Sequence, residues 1–154
     1  MPTEHYVLTN RPIASLAEWQ QGIDVERYPL VLSSIDGSML SRATIVADLS
    51  GGGTRFALKV ERPSDVVRPW HQGKVPETWR YAVALGEIGG ERSAYAVTLA
   101  GFAYAVRSGG VFYDPGDDDA VVSDLGKMRT VLSELLGTYL KELGLRPPAP
   151  NSAQ

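Results

Sequence analysis

The chain has 154 residues, of which 44% are hydrophobic and 21% charged, the ordinary composition of one globular domain with its own core. Its net charge of −3 and the scatter of its 15 Lys and Arg residues argue against a nucleic-acid binder, since such proteins concentrate basic residues in one stripe. Cysteine is absent, which excludes disulfides, thiolate nucleophiles and cysteine metal sites. The first residues, MPTEHYVLTNRP, lack the basic start and apolar run of a signal peptide, so we expect a soluble cytoplasmic protein that does not act on membranes.

The N-terminal part of the chain predicts a strand, a helix and a second strand. His5–Thr9 has strand composition. Ser15 precedes Glu18 at the spacing of a capping box, which predicts a helix from Ser15 to about Ile23. Pro29–Ser33 reads PLVLS and predicts a strand, and we expect the Ser-, Asp- and Gly-rich residues 34–42 to form a loop.

A strand pair and a long connection follow. Ala43–Leu49 and Thr54–Glu61 alternate between apolar and polar residues around a glycine-rich turn, which predicts a hairpin with Phe56 and Leu58 on the core face. Residues 62–78 contain three prolines and predict an irregular connection with one helical turn near Ser64. Connections of this length are often functional. The next stretch, Trp79–Ile88, is apolar at successive positions in its middle and predicts a central strand.

The region from residue 91 to residue 113 predicts a buried helix followed by a short strand. No charged residue occurs between Ala94 and Val106, and a helix that is apolar on every face is a buried one. This stretch is shorter than the roughly 20 residues that a bilayer requires, so the burial must lie in a protein core. A face of small residues lets another element approach closely: Ala96, Ala100 and Ala103. Gly109 and Gly110 end the helix, and Val111–Tyr113 has strand composition.

The last element is a long amphipathic helix that begins near Ala120 or Ser123 and ends at Leu143. Its apolar stripe comprises Leu125, Met128, Leu132, Leu135, Tyr139 and Leu143, widened by Leu136 and Leu140. Such a stripe serves either the core of the same chain or a dimer seam, so the chain is a monomer or a homodimer. We therefore predict a single two-layer α+β domain over residues 1–144, with a mostly antiparallel sheet, and a disordered proline-rich tail over residues 145–154.

The sequence shows no motif that carries catalysis, and we expect no cofactor and no metal. His5 and His71 have no neighbour at metal-ligand spacing, and each is explained by exposure or by a local hydrogen bond. The glycines at 51–53 lack the Lys-Ser/Thr pair of a P-loop and lead into a strand. An alternative is a small hydrolase or small-molecule-binding enzyme with a cleft between His71 and the acidic turn at 114–119.

That turn carries the densest charge in the chain, contributed by Asp114, Asp117, Asp118 and Asp119. Three interpretations stay open. The carboxylates form a solvated turn that complements the positive N-terminus of the last helix, they contact a basic partner, or they hold a hard cation, although their spacing is not that of an EF-hand.

The order of several pieces resembles small bacterial immunity-type proteins of polymorphic toxin and contact-dependent competition systems. The pieces are a helix with Trp19 and Ile23, the strand Pro29–Leu32, a hairpin carrying Phe56, a strand led by Trp79, and the ending GGVFYDP from Gly109 to Pro115. Members of that group typically carry a Glu in the hairpin strand after the Phe, where this chain has Ala57 and Leu58. The resemblance implies that the chain binds and neutralises a cognate toxin and has no catalytic residues.

We therefore hypothesise a non-catalytic protein-binding module with a protein partner. The residues assigned to partner binding are Asp114, Asp117, Asp118, Asp119, Trp70 and His71. Acidic residues accelerate association with a basic cleft, and aromatic residues dominate interface hot spots. Trp79 is a second candidate anchor, with a place in the core as its alternative.

Overall fold

The architecture is a six-stranded sheet with helices packed on it, and it confirms the predicted α+β class. The computed structural model describes residues 4–71, 73, 75, 78–113 and 125–142. The strands are β1 (Glu4–Thr9), β2 (Leu30–Gly37), β3 (Arg42–Leu49), β4 (Gly52–Glu61), β5 (Tyr81–Glu87) and β6 (Val111–Tyr113). Their order in the sheet is β2-β3-β4-β5-β1-β6, and every neighbouring pair is antiparallel.

Four α-helices and one 3-10 turn complete the described chain. They are α1 (Leu16–Val25), α2 (Pro63–Val66), the turn Pro69–His71, α3 (Glu91–Ser108) and α4 (Leu125–Glu142). Helices α1, α3 and α4 share one core with one face of the sheet, which we call the inner face. The predicted start of the last helix, the acidic residues 114–119 and the tail 145–154 lie outside the described residues.

Helix α3 is the buried element that the sequence predicts. The small residues Ala96, Ala100 and Ala103 are fully buried, and the backbone carbonyl of Ala100 accepts a 2.9 Å hydrogen bond from the Trp19 indole of α1. At Gly101 a Cβ atom would lie only 2.9 Å from the Phe112 ring of β6, so the helix approaches the sheet too closely for a side chain there.

The ends of the helices follow their capping residues. The Ser15 hydroxyl accepts the Glu18 backbone N–H at 3.1 Å, which is one half of the predicted capping box. The Glu18 carboxylate pairs instead with Arg107 of α3, at 3.5 Å. Helix α3 ends at Gly109, whose φ of 71° is left-handed and suits glycine.

Helix α4 lies against α3 on a stripe shifted from the predicted one. The most deeply buried side chains are Leu132, Leu136 and Leu140, whereas Leu135 and Tyr139 are half-buried. The shift follows from two flanking contacts that set the rotation of the helix. Arg129 forms a bidentate ion pair with Glu26 at 2.9 and 3.0 Å, and the Tyr139 ring stacks on Tyr95 with centroids 3.8 Å apart.

The predicted loop over residues 34–42 is wrong in its first half, because β2 continues to Gly37. A bulge occurs between Leu32 and Ser34, and the Ser33 hydroxyl donates to the Val46 carbonyl of β3 at 3.0 Å. Beyond the bulge the strand is largely exposed, so it tolerates the polar residues that made it look like a loop. Only the tight turn before Arg42 is irregular.

The described residues cover the opposite side of the sheet, the outer face, only in part. Val66 and Val75 of the connection after β4 pack on Leu8, Ala82 and Tyr113, which belong to β1, β5 and β6. We call this second, smaller core and the connection above it the outer corner. The rest of the outer face, over β3, β4 and the far end of β5, carries a shallow groove.

Candidate functional site

His71 anchors the outer corner from beneath. Its side chain is 0% exposed, and its Nδ1 atom lies 2.8 Å from the Tyr113 hydroxyl oxygen. The same oxygen accepts the backbone N–H of Arg68 at 2.8 Å. The donor and acceptor roles in the contact between His71 and Tyr113 follow from the imidazole tautomer, and the second ring nitrogen of His71 is Nε2. That Nε2 atom is buried and has no partner in the described part of the chain.

Trp70 projects from the same turn in the opposite direction. Its side chain is 62% exposed, the centroid of its ring lies 5.8 Å from that of His71, and the two rings meet edge to face. The turn itself is closed by backbone bonds, from the His71 N–H to Arg68 at 2.9 Å and from the Val75 N–H to His71 at 3.1 Å. A large aromatic side chain is thus held toward solvent by a backbone that is tied to the sheet.

The structure therefore places the two predicted site residues of this connection side by side, one outward and one inward. Trp79 is half-buried against the small core of the outer corner, in agreement with a structural place for it. The four predicted acidic residues, Asp114, Asp117, Asp118 and Asp119, lie outside the described residues. Asp114 directly follows Tyr113 in the chain.

A groove of about 300 Å³ on the open outer face was missed by the sequence analysis. Its floor is made of small residues, Thr44, Ala57, Ala84 and Gly86. Its two charged lining residues, Arg42 and Lys59, are cationic. The floor exists because strand pairing brings Thr44, Ala57 and Gly86 into one row across three strands. Small residues at outward positions were visible in the sequence, but their alignment depends on register.

The groove and the outer corner lie on one continuous surface. A second cross-strand row joins Lys59, Ala84, Tyr6 and Tyr113, and Tyr113 contacts His71. Lys59 is paired with Glu61 at 2.8 Å, so its charge is partly compensated. Adjacent strands are about 4.8 Å apart, so only a few strand spacings separate the groove from the outer corner that carries Trp70. A single protein partner is large enough to contact both.

The described residues bring no three His, Asp or Glu side chains together in a cluster able to hold a metal ion. No helix in the described part of the chain is both long and apolar enough to traverse a bilayer. Comparison of the chain with known protein families, curated proteins and solved structures gives no match.

Proposed function

We propose that the chain is a non-catalytic, cytoplasmic protein-binding module of the immunity type, which neutralises a toxin inherited with it. The observation that carries this proposal is the exposed Trp70 on a turn fixed to the sheet. Tryptophan is enriched among interface hot spots, where truncation of one anchor costs about 2 kcal/mol or more of binding free energy. A fixed anchor also loses little conformational entropy on binding.

The acidic residues supply the second part of the proposal. Asp114, Asp117, Asp118 and Asp119 begin where β6 ends, and β6 carries the Tyr113 hydroxyl that holds the Trp70 turn. Toxins that attack nucleic acids or nucleotides commonly present a basic cleft. A cluster of carboxylates on a binding protein attracts such a cleft and increases the association rate.

The burial of His71 favours this function over the alternative of a small hydrolase. A general base must come within hydrogen-bond reach of its substrate, and the His71 side chain is 0% exposed beneath Trp70. Its Nδ1 atom is already engaged by Tyr113. On this proposal the contribution of His71 is to position the turn.

Co-expression with the product of the neighbouring gene tests the function. We expect that product to arrest growth of the host and this chain to restore growth. The double variant Asp117→Lys/Asp118→Lys should slow association about tenfold at low salt and much less at high salt, because salt screens the lost steering. A neighbouring product without toxicity, no protein co-purifying from the native host, and unchanged phenotypes of the charge-reversal variant would together refute the proposal.

A further inference from the structure

Among the described residues, strand β2 forms one edge of the sheet, and half of its backbone groups therefore have no neighbouring strand there. Unpaired N–H and C=O groups on an edge are a template for pairing with another chain. The edge at β2 is eight residues long, whereas the edge strand at the other end, β6, has three. Within the described part of the chain, β2 is thus the longer of the two edges and has enough backbone to support strand addition.

The side-chain amide of Gln20 occupies this edge. Its Nε2 donates to the Leu30 carbonyl at 3.0 Å, and its Oε1 accepts the Leu32 backbone N–H at 2.7 Å. These are a carbonyl and an N–H that point away from the sheet, as groups used by an added strand do. One primary amide therefore makes the pair of bonds that a neighbouring peptide would make.

Two features hold the Gln20 amide in this orientation. First, its Nε2 atom also donates to the Asp24 carboxylate, one helical turn later, at 2.8 Å. Because a carboxylate only accepts, this bond identifies the nitrogen of the amide. Second, the residue before Gln20, Trp19, is fully buried and bonded to Ala100 at 2.9 Å. Helix α1 is thus fixed to the core next to the position from which Gln20 reaches the edge.

A bulge hinders strand pairing along the part of β2 that the Gln20 amide does not reach. Ser33 lies outside the regular pairing, and its hydroxyl bonds to Val46 instead. A bulge interrupts the ladder and increases the local twist, which hinders pairing beyond it. The flat part of the edge is therefore the part before the bulge, where Gln20 sits.

We propose that the Gln20 side chain acts as a substitute for a neighbouring strand and closes the β2 edge against pairing with a second copy of this chain. A second copy is the matching occupant because two β2 edges placed antiparallel about a two-fold axis are self-complementary and close into a dimer. Pairing of β2 with the short β6 of another copy would leave open ends and involve few bonds.

The substitution Gln20→Leu tests this, with Gln21→Leu as the matched control one residue along. Gln21 is exposed and bonds to Arg107, not to the strand. In Gln20→Leu at low concentration, we expect the Leu32 amide to exchange about three- to tenfold faster than in the parent, as the loss of one hydrogen bond implies. When Gln20→Leu is concentrated, sedimentation velocity should show that it associates more than the parent or Gln21→Leu does. The Leu32 amide should then become protected from exchange again.

Gln20→Glu provides a second variant if the leucine variant fails to fold. A carboxylate cannot donate to Leu30 or to Asp24, whose charge repels it, and a charge on an edge opposes strand pairing. The Leu32 amide of Gln20→Glu should therefore exchange faster than in the parent, as in Gln20→Leu, while its association state should equal that of the parent. Unchanged Leu32 exchange in either folded variant, absence of concentration-dependent association in folded Gln20→Leu, or association of Gln20→Glu to the same extent as Gln20→Leu would each overturn the proposal.

Discussion

On the inner face of the sheet, most buried polar side chains are hydrogen-bonded to backbone groups, whereas on the outer corner two buried ring nitrogens have no partner among the described residues. The Trp19 indole bonds to Ala100, and the Tyr104 hydroxyl accepts the Ile13 N–H at 2.8 Å. On the outer side, His71 Nε2 and Trp79 Nε1 are buried without a partner among the described residues. One inner atom, the Tyr28 hydroxyl oxygen, shares that property, and burial raises its pKa.

This difference indicates that the two sides of the sheet have different roles. Three helices and most of the largest buried side chains make the inner layer the main source of stability. The outer corner has a small core of five buried residues and holds Trp70 toward solvent. Regions with few buried apolar contacts open at lower free energy than the core, and binding segments are commonly drawn from them. We therefore expect substitutions in the inner layer to change global stability and substitutions in the outer corner to change that corner alone.

The largest effect is expected from Ala100→Leu in α3. Ala100 is 0% exposed and lies beneath the Trp19 indole, so added methyl groups must displace packed neighbours and should cost about 1–3 kcal/mol of the free energy of unfolding. Ala17→Leu, at an exposed position of α1, is the matched control and should change stability by less than about 0.5 kcal/mol. Equal urea midpoints for the two variants would show that α3 is not the closely packed centre of the inner layer.

The second effect appears at alkaline pH. Burial raises the pKa of Tyr104 from 10.0 to about 12. Because the folded-state pKa is the higher one, its contribution is complete below about pH 10 and is lost as the pH rises toward 12, by at most about 1.4 kcal/mol per pH unit. In urea titrations, the stability gap between the parent and Tyr104→Phe should therefore shrink above pH 10. A gap that stays constant from pH 8 to about 11.5 would contradict this placement of Tyr104.

A more local effect, restricted to the outer corner, is expected from Tyr113→Phe. The change leaves the Arg68 N–H and His71 Nδ1 without their shared partner and should cost about 1–3 kcal/mol, chiefly by opening the outer corner. Hydrogen exchange of the Arg68 amide should accelerate while α3 amides keep their protection. Tyr81→Phe, on a more exposed tyrosine, serves as the control. If α3 amides accelerate as much as Arg68, the outer corner is not a separate opening unit.

Much of this fold could be predicted from the sequence because its signals are local. The uninterrupted apolar run of α3, the glycines at its end and the alternation in β3 and β4 each reflect one element and its burial. The continuation of β2 to Gly37 could not be predicted from the strand itself, because an exposed edge strand has the composition of a loop. The rotation of α4 is set by Arg129 and Tyr139 meeting distant residues, which periodicity does not encode.

The candidate site was predictable only in part. The length of the connection after β4 pointed to Trp70 and His71, but their opposite orientations depend on Tyr113, which is 42 positions away from His71 in the chain. The groove depends on three strands in register, and the role of Gln20 depends on where α1 crosses the sheet edge. Such long-range placements leave no pattern in a single sequence.

The most direct test uses the partner that we propose, a toxin domain encoded by the neighbouring gene, and measures the affinity of Trp70→Ala for it by calorimetry together with the thermal midpoint of the variant. Val131→Ala is the control, since Val131 is also exposed, at 50%, but lies on α4 of the inner layer. We expect Trp70→Ala to weaken binding about thirtyfold or more, because a hot-spot anchor is lost, while both variants keep the thermal midpoint of the parent. Equal affinities of the two variants, with both folded, would contradict the assignment of the outer corner as the binding surface.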